Sequence, residues 1–264
     1  MASDEATGGT DRAASTPFPP TVPAKGVGRR GDKVSQVVAR HIVRDIVAQD
    51  LPPGSVLPSE SIMLERFGVG RASLREALRI LEVQGLITIK PGPRGGPVVA
   101  APTHADFGRT AALHLQMVGA TFRELVEARL ILEPLMARQA AERQDPEFID
   151  ALRISTEELT ESADSQFVQI ATDFHGLMAS ASGNRVLDQF GGAIKEMFYE
   201  RVGSAIFPTT GRGKVDHDHR EIYKAIEKGK PALAERLMRE HMQAVADQCE
   251  QRYPGLLDEI VDWR

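Results

Sequence analysis

Apolar residues recur at intervals of three and four along most of this chain, and that spacing predicts a mainly α protein. Residues 33–48, 60–67 and 71–84 each carry such a stripe, so three short helices are expected near the N-terminus. The pattern changes at 86–90 and 97–100, where β-branched residues alternate around a loop rich in glycine and proline. Helix, turn, helix and hairpin in this order predict an N-terminal winged helix-turn-helix with a small β-hairpin wing.

Beyond residue 102 the helical period continues almost without interruption, and glycine or proline marks the breaks. This part of the chain is predicted to fold as a C-terminal all-α helical bundle. The predicted helices cover 106–118, 121–144, 146–163, 165–182, 184–202, 216–228 and 231–252.

These patterns divide the chain into four segments. Residues 1–32 are rich in Ala, Thr, Gly and Pro without apolar periodicity, and are predicted to be a disordered tail. Residues 33–102 form the predicted DNA-binding domain, and residues 103–255 a predicted effector-binding and dimerisation domain. The last segment, 256–264, is predicted to be a C-terminal tail.

The net charge of −5 conceals an uneven distribution of charged residues along the chain. Residues 33–102 hold nine basic and six acidic residues, whereas residues 103–264 hold nineteen basic and twenty-seven acidic. A basic module joined to an acidic body indicates that only the first part meets phosphate.

The cysteine count and the hydropathy pattern indicate the compartment of the protein. The single cysteine, Cys249, excludes an internal disulfide framework and is typical of a reducing compartment. No apolar run has the roughly 18 residues of a membrane span. The sequence therefore predicts a soluble protein of the cytoplasm that is not associated with a membrane.

A row of arginines marks the second helix of the predicted DNA-binding motif. Arg71 and Arg75 lie one turn apart beside the apolar stripe, so both are expected to face the major groove and contact guanine or phosphate. Ser73 and the backbone near Gly70 are expected to contact phosphate. Arg94, in the glycine-rich loop of the hairpin, is expected to enter the minor groove.

This region resembles the N-terminal domain of GntR-family bacterial transcription regulators. The matching segments are LPSE at 57–60, VGRASLREAL at 69–78, LEVQGLI at 81–87 and the GG of the wing. The resemblance implies DNA contacts by Arg71, Ser73, Arg75 and the wing glycine Gly92. The family usually has Ser or Thr where this chain has Gly70, and Thr or a similar residue at Ala72, so two hydroxyls are missing here.

Two histidines stand at matched positions in the helical body. His219 and His241 are each eleven residues from Lys230, the predicted hinge between consecutive helices. In an antiparallel hairpin both lie about 16 Å from the turn, at 1.5 Å per residue. Two imidazoles at one height suit a metal ion.

The body resembles the C-terminal ligand domain (FCD type) of the FadR branch of the same family. The matching residues are Ala128-Arg129 with Glu133, Phe174-His175, Ser182-Gly183-Asn184, His219-Arg220-Glu221-Ile222 and His241. The resemblance implies a divalent metal, zinc or nickel, held by one aspartate and three histidines, which here are His175, His219 and His241. It also implies a small-molecule effector, a carboxylate or an acyl-CoA or fatty-acid type, with Arg129 and Asn184 as ligand-binding residues.

One departure from the family pattern leaves open whether this domain binds a metal. The aspartate of the family lies one helical turn before the first histidine, and here that position is Ala171. Asp173 does not replace it, because two residues along a helix point to nearly opposite sides. Three imidazoles still suffice for zinc or nickel, but the FadR branch also contains metal-free regulators, so both alternatives stand.

The function predicted from these patterns is a ligand-responsive transcription regulator, a repressor, that binds a palindromic DNA operator as a homodimer. It is expected not to be an enzyme. Two alternatives from other classes remain: a metal-dependent hydrolase that uses the histidines, which lacks an evident general base, and a DNA architectural protein without an effector.

Overall fold

The computed structural model describes residues 33–92, 95–163, 166–202 and 211–262, and the chain divides into two compact units, with the boundary in the sequence between Ala101 and Pro102. The predicted tail at 1–32 and the wing residue Arg94 lie outside the described residues. Each unit is built around its own apolar core. The prediction of a mainly α protein with a small hairpin is confirmed.

The first unit consists of three helices and a two-stranded antiparallel sheet. Its elements are α1 (Val34–Ala48), α2 (Glu60–Phe67), α3 (Arg71–Val83), β1 (Ile87–Lys90) and β2 (Gly96–Val99). The strands pair in the register Ile87 with Val99 and Lys90 with Gly96. Val38, Phe67 and Leu74 are fully buried between the helices, so the predicted stripes do form the core.

Two glycines in the left-handed conformation follow the ends of helices α2 and α3. Gly68 ends α2 and Gly85 follows α3, and both have positive φ angles, of 61° and 70°. Glycine adopts this left-handed conformation without the steric cost that a Cβ atom brings. An ion pair of 2.8 Å between Arg66 on α2 and Asp45 on α1 joins the first two helices.

The second unit is a helical bundle in which α5 packs extensively against α10. Its described helices are α4 (His104–Met117), α5 (Phe122–Arg143), α6 (Pro146–Glu161), α7 (Phe167–Ala181), α8 (Arg185–Val202), α9 (Arg212–Glu227), α10 (Pro231–Arg252) and α11 (Pro254–Leu257). Thr103 and Thr121 begin α4 and α5 with capping boxes, in which each threonine and an acidic residue three positions later satisfy each other's backbone N–H groups. None of the described helices combines the length and the apolar character needed to cross a membrane.

Helix α8 approaches its neighbours closely at a pair of glycines. A Cβ atom at Gly191 would lie 2.8 Å from Met136 Cε on α5 and 2.9 Å from Ala179 Cβ on α7. A Cβ atom at Gly192 would overlap the ring of His104 on α4. The small residues therefore let α8 contact three helices at one level.

Two predicted boundaries in this unit are wrong. The interpretation of 256–264 as a tail fails, because Leu257 and Val261 are buried and Val261 N donates a hydrogen bond of 2.9 Å to the carbonyl of Ala120. Helix α9 begins at Arg212 and not at 216, because Val215 is buried and the Arg212 guanidinium lies 5.0 Å from the ring centre of Phe167.

Candidate nucleic-acid interface and metal centre

Helix α3 has one buried face and one solvent-exposed basic face. Leu74, Ala77 and Leu78 pack into the core, whereas Arg71 and Arg75 are exposed on the other side. Arg75 Nε lies 3.5 Å from Glu60 Oε2 on α2, and 67% of its side chain remains accessible. An exposed pair of this kind is weakly held, so phosphate or a base edge can replace Glu60.

The start of α3 agrees with a phosphate contact through the backbone. Gly70 is the N-cap residue and is exposed, and it provides no side-chain cap for the first backbone N–H groups of the helix. These N–H groups and the helix dipole favour an anion. Ser73, which is half-buried, and the exposed Ala72 lie in the same first turn.

The hairpin wing forms a second exposed surface. Its backbone requires glycine at two positions, Gly92 and Gly95. Gly92 is exposed and has a φ angle of 102°. A Cβ atom at Gly95 would lie 2.1 Å from the carbonyl oxygen of Lys90, which no rearrangement of a side chain relieves. Gly95 N also donates a hydrogen bond of 2.9 Å to the carbonyl of Gly92, which closes the turn.

Three buried histidines meet inside the second unit. His175 on α7, His219 on α9 and His241 on α10 each offer one ring nitrogen, and these nitrogens all lie within 4.8 Å of one another. The Nε2 atoms of His219 and His241 are 3.2 Å apart. The equal height predicted for this pair from Lys230 therefore corresponds to direct contact across the hairpin.

Carboxylates hold two of the three rings by their outer nitrogens. Asp218 Oδ2 accepts a hydrogen bond of 3.2 Å from His241 Nδ1, and Glu133 Oε2 accepts one from His175 Nδ1. A carboxylate only accepts, so Nδ1 carries the proton in both rings and Nε2 keeps its lone pair.

The third ring, His219, is oriented by stacking instead. Its plane lies 13° from that of the fully buried Phe174, with 4.1 Å between ring centres. Its Nδ1 atom is buried and has no hydrogen-bond partner among the described residues.

Burial keeps two of these histidines, His175 and His219, uncharged at neutral pH. It lowers the pKa of His175 to about 4, although Glu133 acts in the opposite direction. The pKa of His219 is also far below its ordinary value, because of burial and of its histidine neighbours. Neutral imidazole is the form that binds metals.

Three nitrogen donors with two outer carboxylates fit a divalent metal ion of the zinc or nickel class. The fourth ligand implied by the resemblance is missing. A small cavity lies beside the three histidines, and the buried Ala171 forms part of its wall. Asp173 instead bonds to Lys195 and Gln169. The described residues thus bring together three candidate ligands, without a fourth carboxylate ligand.

Arg129 lines the same cavity. Its side chain is 3% exposed, its Nε donates a hydrogen bond of 2.6 Å to Glu133 Oε1, and its guanidinium lies 4.0 Å from the ring centre of Phe198. Burial favours the neutral form of Glu133, but Arg129 and His175 outweigh it and lower its pKa to about 2. The Arg129–Glu133 pair is therefore ionised.

Asn184 lies elsewhere and is not among the residues that line this cavity, so its role in ligand binding stays a prediction. It is exposed, and its Oδ1 atom accepts hydrogen bonds of 2.9 and 3.3 Å from Val186 N and Leu187 N. These are the contacts of an N-cap residue at the start of α8. Asn184 therefore caps α8.

Glu133 and Asp218 are the members of the centre to which sequence reasoning gave no role. Glu133 is separated from His175 by 42 positions, and no local pattern reports that contact. The position of Asp218 could have been predicted from the sequence. Asp218 directly precedes His219 on the hairpin that places His219 opposite His241.

Each of the two units matches a known protein family. Residues 34–95 match the family described as bacterial regulatory proteins, gntR family, and residues 124–244 match the FCD domain family. The HTH-type transcriptional regulator Mce2R of Mycobacterium tuberculosis is 30% identical over 221 residues, which cover 77% of this chain and 86% of that protein. The HTH-type transcriptional repressor NanR of Escherichia coli is 30% identical over 229 residues, covering 81% of this chain and 83% of that protein.

A solved structure agrees with the fold. The Streptococcus agalactiae GntR structure superimposes with a TM-score of 0.64 at 23% identity, and covers 81% of this chain and 99% of that one. At this identity the likeness concerns the fold alone.

Proposed function

This chain belongs to the gntR family of bacterial regulatory proteins and carries an FCD domain, and we propose that it is a homodimeric repressor controlled by a small carboxylate. Its relatives and domains are those of DNA-binding transcription regulators and not of enzymes. The hydrolase alternative is therefore abandoned. A regulator of this kind acts at the chromosome, so we propose a place at the nucleoid in the cytoplasm.

The observation that carries the DNA-reading part is the two-sided character of α3. Arg71 and Arg75 face solvent while Leu74, between them, is fully buried, so the core fixes the helix that presents both guanidinium groups. The open N-terminus at Gly70 and the tight wing turn at Gly92 add backbone positions for phosphate. We propose these residues, with Ser73, as the DNA contacts.

A homodimer follows from the small footprint of one such helix. A single recognition helix covers few base pairs, and two copies related by a two-fold axis read both halves of a palindrome. Apolar side chains exposed on the second unit support self-association: Met117 is 86% exposed, Val186 62% and Phe190 50%.

The cavity between α5, α7, α9 and α10 is the proposed sensor. Its volume is about 10 Å³, room for about one water-sized group. Any larger effector must displace the wall, and this displacement is a means to change the shape of the bundle. A small carboxylate suits Arg129 and a metal held by His175, His219 and His241. A long acyl chain would require a much larger displacement of the wall than a small carboxylate.

A metal bound there supplies a Lewis-acidic position for an effector oxygen. The protein's own part is to direct the Nε2 atoms of His175 and His241 inward through Glu133 and Asp218, and to fix His219 against Phe174.

The test begins with selection of duplexes from a random DNA pool by the purified chain. We expect a two-fold symmetric motif, bound by two copies of the chain. Release of that DNA is then measured with a panel of short-chain carboxylates and acyl-CoA compounds, each with and without zinc. Release by a carboxylate supports the proposal; an asymmetric motif, or DNA binding that no compound changes, contradicts it and favours the architectural alternative.

A further inference from the structure

Helix α3 presents two exposed arginines whose surroundings differ. Arg75 Nε lies 3.5 Å from Glu60 Oε2 on α2, whereas Arg71, one turn earlier, has no polar partner in the part of the chain that the structure describes. The Glu60 side chain is 42% exposed and that of Arg75 67%. The surface proposed to meet DNA therefore contains a negative charge, and this charge is paired with one of the two arginines only.

The packing of α2 and α3 brings this pair together. Leu74 is fully buried and directly precedes Arg75 on α3. On α2, Met63 and Phe67 enter the same core. Glu60 is the first residue of α2, where the positive end of the helix dipole favours a carboxylate. The core thus determines the backbone positions from which the two charged side chains meet.

The carboxylate meets the guanidinium of Arg75 at one nitrogen. Nε has a single N–H group, and the two Nη nitrogens carry the other four. A pair formed through Nε leaves both Nη nitrogens available, and Arg75 has no other polar contact with the described residues. Two Nη groups side by side match O6 and N7 on the major-groove edge of guanine. The contact with Glu60 therefore leaves free the part of Arg75 that can read a base.

Phosphate makes a different demand on Glu60. A phosphate group that takes Nε must displace the carboxylate, and a phosphate group bound beside it meets a like charge. A base edge bound by the Nη nitrogens requires neither. Because non-specific binding depends on phosphate contacts, Glu60 should weaken binding to unrelated DNA more than binding to the correct sequence.

We propose that Glu60 is a positioning residue for DNA recognition: it holds Arg75 through Nε, directs the Nη nitrogens to guanine and disfavours capture of Arg75 by phosphate. The inference rests on the DNA-reading function proposed above. It adds the residue that makes a general phosphate-binding side chain selective for a base. Specificity is a difference between two affinities, so a residue that weakens binding to unrelated DNA raises specificity.

The test compares the duplex selected by the full chain with a scrambled duplex of equal length and composition, by fluorescence anisotropy at one salt concentration. Glu60→Gln keeps the size of the side chain and removes its charge. We expect this variant to bind the scrambled duplex more tightly, by roughly 2- to 5-fold, the range for loss of an exposed ion pair. The ratio of selected to scrambled affinity should fall by at least that factor, and an unchanged ratio overturns the inference.

Glu82→Gln is the matched control. Glu82 forms an exposed ion pair of 2.7 Å with Arg79 on α3, and no base contact is proposed for Arg79. This substitution removes the same charge from the same unit, so it should tighten binding to both duplexes equally and leave their affinity ratio unchanged. A ratio that falls equally in both variants would be a general effect of charge and contradicts a role specific to Glu60.

The Arg75→Ala background separates positioning from simple repulsion of DNA. The guanidinium is absent there, so Glu60→Gln should no longer change the ratio of selected to scrambled affinity. A ratio that falls as much in this background as in the wild-type chain contradicts the inference, because the carboxylate would then act without Arg75.

The outcome is separable from that of the proposed function. If Arg75→Ala relaxes base preference while Glu60→Gln keeps the wild-type affinity ratio, α3 reads DNA and the positioning role alone is refuted. If selection yields no preferred duplex, the DNA-reading function fails, and the inference fails with it.

Discussion

Arg129 and Glu133 lie one turn apart on α5, and the Arg129 Nε atom donates a hydrogen bond of 2.6 Å to the Glu133 carboxylate inside the bundle. The other oxygen of Glu133 meets His175, so one carboxylate joins the buried cation to the histidine centre. The same helix repeats this spacing at its surface, where Arg138 Nε donates to Glu142 over 2.9 Å with both side chains about half exposed. The two pairs share chemistry and differ in burial.

This difference predicts a large contrast between two charge-removing substitutions. Glu133→Gln leaves the Arg129 charge buried without its counterion and should lower the free energy of unfolding by about 3–5 kcal/mol. Glu142→Gln breaks an exposed pair and should change it by no more than about 0.5 kcal/mol. Urea unfolding of both variants measures the contrast, and equal losses would mean that the buried pair does not stabilise the bundle.

The start of α3 predicts a substitution that strengthens DNA binding. Gly70 has the extended backbone of an N-cap residue, with φ −76° and ψ 158°, and a Cβ atom there meets nothing within 4 Å. Gly70→Ser should therefore add a capping hydroxyl worth a few tenths of a kcal/mol and a second donor for phosphate. We expect higher affinity for selected duplex DNA in an anisotropy titration.

Gly92 provides the control for this change. It is also exposed with open space around it, but its φ of 102° is unfavourable for serine. Gly92→Ser should disturb the wing and weaken DNA binding. An equal response of the two variants would show that the cap at Gly70 is not the cause.

The close approach of α8 predicts opposite effects for two Gly→Ala substitutions. At Gly191 the new methyl group meets Met136 and Ala179 at under 3 Å, so stability should fall by about 1–3 kcal/mol through overpacking. At Gly213, inside α9 with nothing within 4 Å, alanine should raise stability by up to about 1 kcal/mol because it favours helix. Thermal unfolding distinguishes the two, and destabilisation by both would contradict the packing described for α8.

Local sequence patterns were sufficient for the fold class. The stripe that contains Leu74 and the glycines at 68 and 85 predict α2 and α3, because helical period and left-handed caps are properties of neighbouring residues. The four-residue helix α11 carries no such period, so packing of Leu257 into the bundle could not be anticipated.

The histidine cluster was predictable only in part. His219 and His241 follow from hairpin geometry, and His175 from a family motif. The contact of Glu133 with His175 depends on how α5 and α7 pack, which no single segment encodes. Asn184 comes from a motif of the same resemblance, and the contacts seen for it are those of a helix cap.

The central claim is that α3 reads DNA through its exposed arginines, and the affinity of Arg75→Ala for a selected duplex tests it most directly. Arg236→Ala removes one exposed charge from α10 and serves as the matched control. We predict a loss of roughly 1–3 kcal/mol and relaxed base preference for Arg75→Ala, with wild-type binding for Arg236→Ala. Wild-type affinity and base preference in Arg75→Ala would contradict the account.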